Sequence, residues 1–196
     1  MSRHDTTDPT RALDEHVHSF FAGHRIESLT QDAGPIGERV PGFRVHAIAP
    51  GPRGRNAWTY VTTGCWQAAH QDGHGLEFVL ATREFTVRAV ELLARNAYFH
   101  AGPAHQRLDV GHTVDLGEPW LPGSACDHGL LSLPYPWGPD LEECEWTGGH
   151  HVRLLWLLPI TAAEREFTVA HGLDALEDRF QAARLDFADP QRASVA

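Results

Sequence analysis

No lysine occurs anywhere in the 196 residues, so the 16 basic side chains other than histidine are all arginine. That absence removes Schiff-base chemistry and a P-loop lysine from consideration. Cysteine is scarce as well: Cys65, Cys126 and Cys144 are an odd number, widely spaced, with no CxxC pair. Such spacing argues against a disulfide framework or a zinc ribbon, and buried free thiols are expected. Long hydrophobic runs are missing too. The longest, Leu154 to Ile160, is far too short to span a bilayer, and residues 1–10 are polar, without the apolar core of a signal peptide. A cytoplasmic protein with no membrane partner is expected. Positive charge is in deficit, with 16 basic against 26 acidic residues and a formal charge of −10. A field of that sign repels phosphate backbones, which argues against nucleic acid and favours a basic partner.

What is present suffices for a core: 42% of the chain is apolar. One domain over 1–196 is expected, with residues 1–30 forming an N-terminal helix and arm. Asp8-Pro9 reads as a helix start, and Leu13, Val17, Phe20 and Phe21 fall on one face before Gly23. Residues 31–42 read as a loop. Phe43, Val45, Ala47 and Ala49 alternate with Arg44 and His46 as a strand, and residues 57–64 form its hairpin partner across PGPRGRN. A Gly/His-rich turn over 71–75 precedes a strand from Leu76 to Thr82, with Leu76, Phe78 and Leu80 on one face. Phe85 to Phe99 reads as a helix with Phe85, Ala89, Leu92 and Phe99 on one side and a Glu91–Arg95 pair on the other.

From Ala101 to Gly123 the pattern dissolves into a long loop holding one short extended piece. Leu130–Leu133 reads as a strand and 134–140 as a proline-rich turn. His151 to Leu158 is nearly all apolar, the mark of an interior strand covered on both faces. Thr161 and Glu164 spell a capping box that opens a helix, and Leu173, Leu176 and Phe180 give the stripe of a last one after Gly172. The tail from Phe187 is expected to lie over the surface or fray. This order predicts an α+β fold with a mixed, mostly antiparallel sheet flanked by helices.

Fourteen histidines raise the question of a metal. There is no HExxH, and His150 and His151 are adjacent, pointing to opposite faces of a strand. The best candidate set is in the long loop: His105, Asp109 and His112, with His100 and Asp115 nearby. A metal-dependent or small-ligand-binding enzyme built on loop 100–115 is the alternative reading. It requires those side chains to converge in a pocket with shifted pKa values. Ser124, in PGSAC, is not a GxSxG nucleophile. No cofactor is called for. Trp120, Tyr135 and Trp137 stand beside Gly and Pro outside any periodic stripe, and Glu142, Glu143 and Glu145 form an acidic run. Loop aromatics with acidic neighbours suit a protein interface, so these six are the candidate partner-binding residues.

Four motifs then appear in order. They are Tyr60-Val61-Thr62-Thr63-Gly64; Gly111-His112-Thr113-Val114; Leu157-Leu158-Pro159-Ile160 with Glu164, Phe167 and His171 to Leu176; and Asp189-Pro190-Gln191-Arg192-Ala193-Ser194-Val195. Together, over residues 40–196, they resemble suppressor-of-fused domains, with their YVTxG, GHT and closing DPxRxSV segments. The length matches bacterial members, not the animal protein with its further carboxy-terminal domain. The resemblance implies a non-enzymatic protein-binding fold, which in animals sequesters a transcription factor and in bacteria serves as an immunity protein against a polymorphic toxin. A basic toxin domain is then the expected partner. Tyr60, Gly64, Gly111, His112, Asp189 and Pro190 are expected to be structural, the glycines permitting turns and His112 bonding to backbone.

Overall fold

The computed structural model describes residues 9–30, 34–51, 56–69, 74–146 and 150–196. Helix α1 (Pro9–Phe20) leads into β1 (Ile26–Thr30), α2 (Pro35–Arg39), β2 (Arg44–Ile48), β3 (Trp58–Thr63), α3 (Cys65–Ala69), β4 (His74–Thr82) and α4 (Val87–His100). Then come β5 (Thr113–Asp115), β6 (Cys126–Ser132), α5 (Pro139–Glu142), β7 (Glu143–Trp146), β8 (His150–Thr161), α6 (Ala162–His171) and α7 (Leu173–Ala183). The sheet runs β1-β2-β3-β4-β8-β6-β5, with β7 also on β8, and every pairing is antiparallel except β4 with β8. A mixed, mostly antiparallel sheet flanked by helices is the α+β arrangement expected. Among the described residues no helix is long and apolar enough to cross a membrane.

Two-residue periodicity divides the core. Along β8, Leu155 and Leu157 face α4, together with Phe78 and Leu80 of β4. Leu154 and Val152 pack under α1, and Trp156, Leu158 and Ile160 pack under α7. Because both faces are covered, β8 reads as one continuous apolar run. The stripe Leu13, Val17, Phe20 and Phe21 of α1 is buried as its spacing requires. Asp8 and the turn residues 52–55 and 70–73 lie outside the described residues.

Several expectations need correction. Residues 31–42 contain helix α2, and β1 precedes them at the sheet edge. In α4 the buried side is Ala89, Leu92, Leu93, Ala97 and His100, while Phe85 and Phe99 are exposed. Phe85 lies before the helix with its ring against Trp58. Arg88 meets Glu91 and Glu118, and Arg95 turns to Glu118 instead of Glu91. Tertiary reach decides those pairs, since Glu118 comes from the following loop. The tail is docked, not frayed: Phe187 stacks edge-on to Trp156 and Phe180, and Arg192 is buried.

Tyr60 shows how β3 sets a helix. Its hydroxyl accepts the N–H of Thr86, the N-cap of α4, at 2.8 Å. Tyr60→Phe is expected to cost about 1 kcal/mol. A calorimetric melt would then fall by ~2–4 °C; an unchanged midpoint would mean that the bond does not hold the helix.

Candidate functional site

The loop histidines and aspartates do not converge. His105 is exposed on a short 3-10 turn at Ala104–Gln106. Asp109 accepts the N–H of Val110 at 2.8 Å, and Asp115 accepts that of Gly117 at 2.7 Å, both shaping local turns. His112 accepts the N–H of Asp109 at its Nδ1, 3.2 Å away, so it does bond to backbone. His100 is buried and accepts the N–H of Leu108. Burial, then the charge of Arg107, pushes its pKa down to about 4, so it is neutral at pH 7. Among the described residues no three His, Cys, Asp or Glu side chains gather as metal ligands would. The convergence that the alternative reading requires is absent for His105, Asp109 and His112. All three cysteines are buried and free.

The resemblance motifs build structure. Thr62 donates its hydroxyl to Glu77 and accepts the N–H of Phe78, while the Glu77 carboxylate also accepts the N–H groups of Gly64 and Trp66 at the start of α3. Gly64 has φ of +107°, and a Cβ there would stand 3.2 Å from the Gly42 carbonyl oxygen, so any other residue would be strained. Gly111, at φ of +83°, turns the chain so that its N–H and the His112 carbonyl both bond to Leu131 of β6. Asp189 caps the N–H of Gln191 and meets Arg83 at 3.1 Å, beside Pro190. Arg192 then reaches inward to Glu164.

The six partner-binding candidates fare differently. Trp120 is only 1% exposed, with its indole N–H bonded to Ser124 Oγ at 2.9 Å. It plugs the core beneath the long loop and offers no face to a partner, which corrects the expectation. Tyr135 is 57% exposed and donates to Glu177 at 3.1 Å. Trp137 is half-buried; its N–H bonds to Thr59, and its ring meets Trp156 edge-on at 5.7 Å. The acidic run is the end of α5 and strand β7, with Glu143 and Glu145 exposed and Cys144 inward. Arg153 of β8 bonds Glu142 at 3.0 Å and approaches Glu143 to 3.6 Å, neutralising part of the run.

Two open grooves were not foreseen. One, of about 900 Å³, lies between α2, α4 and β5, with Arg39, Arg88 and Arg95 along an apolar wall. The other, of about 780 Å³, lies between β6, β8 and α7 on the opposite face of the sheet. Its floor is Trp156, Leu158, Phe180 and Phe187, and its rim carries Asp174, Glu177, Asp178 and Tyr135. The signal was in the chain: on α7 the acids stand at i, i+3 and i+4, just beside the apolar stripe Leu173, Leu176 and Phe180. Trp137 packs against the clusters under both α1 and α7, so it links the α5–β7 acids to this groove.

A family model described as Suppressor of fused protein matches residues 39–193. Among solved structures, a suppressor-of-fused homologue from Neisseria gonorrhoeae superposes with a TM-score of 0.82 at 34% identity, covering 95% of this chain and 96% of that one. The Sufu–Fu complex matches with a TM-score of 0.71 at 13% identity, over 95% of this chain and 91% of the other. Drosophila Suppressor of Fused also gives 0.71 at 13% identity, with 94% of this chain covering 50% of that one. These last two show likeness of fold alone. A search of curated proteins finds no significant match.

Proposed function

The chain belongs to the suppressor-of-fused family, and on that premise we propose that it is a non-catalytic, protein-binding module of the cytoplasm that neutralises a basic toxin domain by covering its surface. The observation that carries the reading is the α7 groove, an aromatic floor under an acidic rim, on a chain of formal charge −10. Opposite potentials steer encounter, and an exposed tyrosine over an apolar floor supplies the desolvated centre that binding energy needs. One neighbour of the same fold was solved as a complex with another protein, Fu, which supports a protein partner for this chain as well. Tyr135, Trp137, Glu143 and Glu145 belong to the proposed patch, together with the groove acids; Trp120 does not.

The test is co-expression with a basic toxin domain encoded beside this gene, followed by calorimetric titration of the purified pair. Rescue of growth and binding that weakens as salt rises from 50 to 300 mM (conditions set by the ~8 Å screening length near physiological salt) are expected. Tyr135→Ala is expected to weaken that binding about tenfold, a loss of ~1.4 kcal/mol. A toxin domain that stays active with equimolar chain present sinks the proposal.

A further inference from the structure

We infer that the α7 groove is a receptor for a cationic side chain, an arginine or lysine in a short partner segment, whose backbone carbonyl takes the indole N–H of Trp156; this rests on the protein-binding role proposed above. Elsewhere in the molecule several acids have a cation. Asp14 has Arg44, Glu142 has Arg153, Glu164 has Arg192, Asp186 has Arg83 and Glu118 has Arg88. On the groove rim the pattern stops. Among the described residues, Asp174, Glu177 and Asp178 have no arginine or histidine at ion-pair distance, although Arg184 lines the same groove.

Among the described residues Glu177 receives only hydroxyl donors, Ser132 at 2.7 Å and Tyr135 at 3.1 Å. Hydroxyls orient a carboxylate without neutralising it. Tyr135 feels the result: burial first, and then the negative charge of Glu177, raises its pKa. Three uncompensated carboxylates at one rim define an attractive position for a partner's charge.

A second, independent feature specifies more than charge. Trp156 is 3% exposed, and its indole N–H has no acceptor among the described residues, although the ring lines the groove. A buried N–H without a partner costs free energy until an acceptor arrives. The aromatic surfaces that line the groove beside it, Phe187 at 4.9 Å from the Trp156 ring and Phe180 at 5.3 Å from Phe187, suit the methylene stem of a long basic side chain. A peptide carbonyl and a cation a few ångströms apart are what an arginine- or lysine-bearing segment offers. A free metal ion offers neither stem nor acceptor.

The experiment uses the full chain, labelled with nitrogen-15, titrated with the capped pentapeptide Gly-Leu-Arg-Leu-Gly and its citrulline counterpart, which is neutral but of nearly the same shape. The Trp156 indole resonance, assigned with Trp156→Phe, is expected to move with the arginine peptide. The citrulline peptide, and Asp174→Asn with Asp178→Asn, are expected to weaken binding about tenfold, the scale of one or two desolvated charge contacts. Both aspartates are exposed, so the double variant should melt like the parent. Equal binding of the two peptides, an unmoved Trp156 resonance, or unchanged affinity in the double variant overturns the assignment. If the double variant still binds the toxin domain at full affinity, this groove is not the receptor, while the protein-binding role stands. If the parent chain binds no toxin domain but does bind the arginine peptide, the broader role fails and the groove assignment survives.

Discussion

Arg192→Ala is expected to destabilise the fold by about 3–5 kcal/mol, the cost of leaving one partner of a buried ion pair alone. Arg192 and Glu164 have side chains 4% and 0% exposed and meet through two bonds, 2.6 and 2.7 Å long. The guanidinium also donates to the carbonyl of Pro159 at 2.8 Å, where β8 turns into α6. Without it, among the described residues Glu164 keeps only the N–H groups of Thr161 and Val195, too few for a carboxylate shut away from water. The tail would lose its anchor as well, and with it Phe187 and Val195, which close the cluster under α7. Urea unfolding at neutral pH measures the loss. Glu164→Gln combined with Arg192→Met should recover at least half of it, because the charge is removed while the capping-box acceptor of α6 is retained. A loss below about 1 kcal/mol in the single variant would show that the tail is not held this way.

The second large effect concerns pH. Glu77 is fully buried on β4, and burial lifts its pKa from 4.5 to about 7, against the opposing pull of the Thr62 hydroxyl and the N–H groups of α3. Across pH 4.5 to 7 the folded carboxyl therefore keeps a proton that the unfolded chain has released. The unfolded state binds fewer protons in that window, so this group's contribution to stability is complete below 4.5 and is lost as pH rises through 7. The loss amounts to about 3 kcal/mol, at 1.36 kcal/mol per pKa unit. Glu77→Gln removes the titration. Urea midpoints at pH 4.5, 6 and 7.5 should show the parent losing stability relative to Glu77→Gln as pH rises. A constant difference would mean that the donors around the carboxylate outweigh its burial.

Local physics was legible where neighbours in sequence are neighbours in space. The Thr161–Glu164 capping box forms as read, with both reciprocal bonds present. The apolar run before it is the interior strand β8, and Gly64 and Gly111 occupy the left-handed conformations that their motifs suggested. The stripe of α1 is buried for the same reason: helix geometry alone brings Leu13, Val17 and Phe20 to one side. The family could be read too, since its motifs are backbone and capping devices that recur in order over the chain.

Exposure in the irregular segments was a different matter. Trp120 and Tyr135 both stand beside proline outside any periodic pattern, yet one is core and the other lies open. Their fates turn on what covers them: the loop folds Trp120 inward onto Ser124, while α7 gives Tyr135 only an acid at its tip. The segment Glu143 to Trp146 became a strand because β8 offered a free edge, and Arg153 across the sheet then chose which acids stay uncompensated.

Composition and periodicity by themselves determined the α+β class, the acidic balance and the absence of lysine chemistry, and the four ordered motifs carried the resemblance to the family. Tertiary structure alone decided that the loop histidines stay apart, that the tail is locked by Arg192, and that the acids of α7 overhang an aromatic floor. The division has one physical cause. Periodicity and capping act over a few residues, whereas burial and charge compensation depend on partners such as Tyr135 and Glu177, 42 positions apart, which only the packed chain brings together.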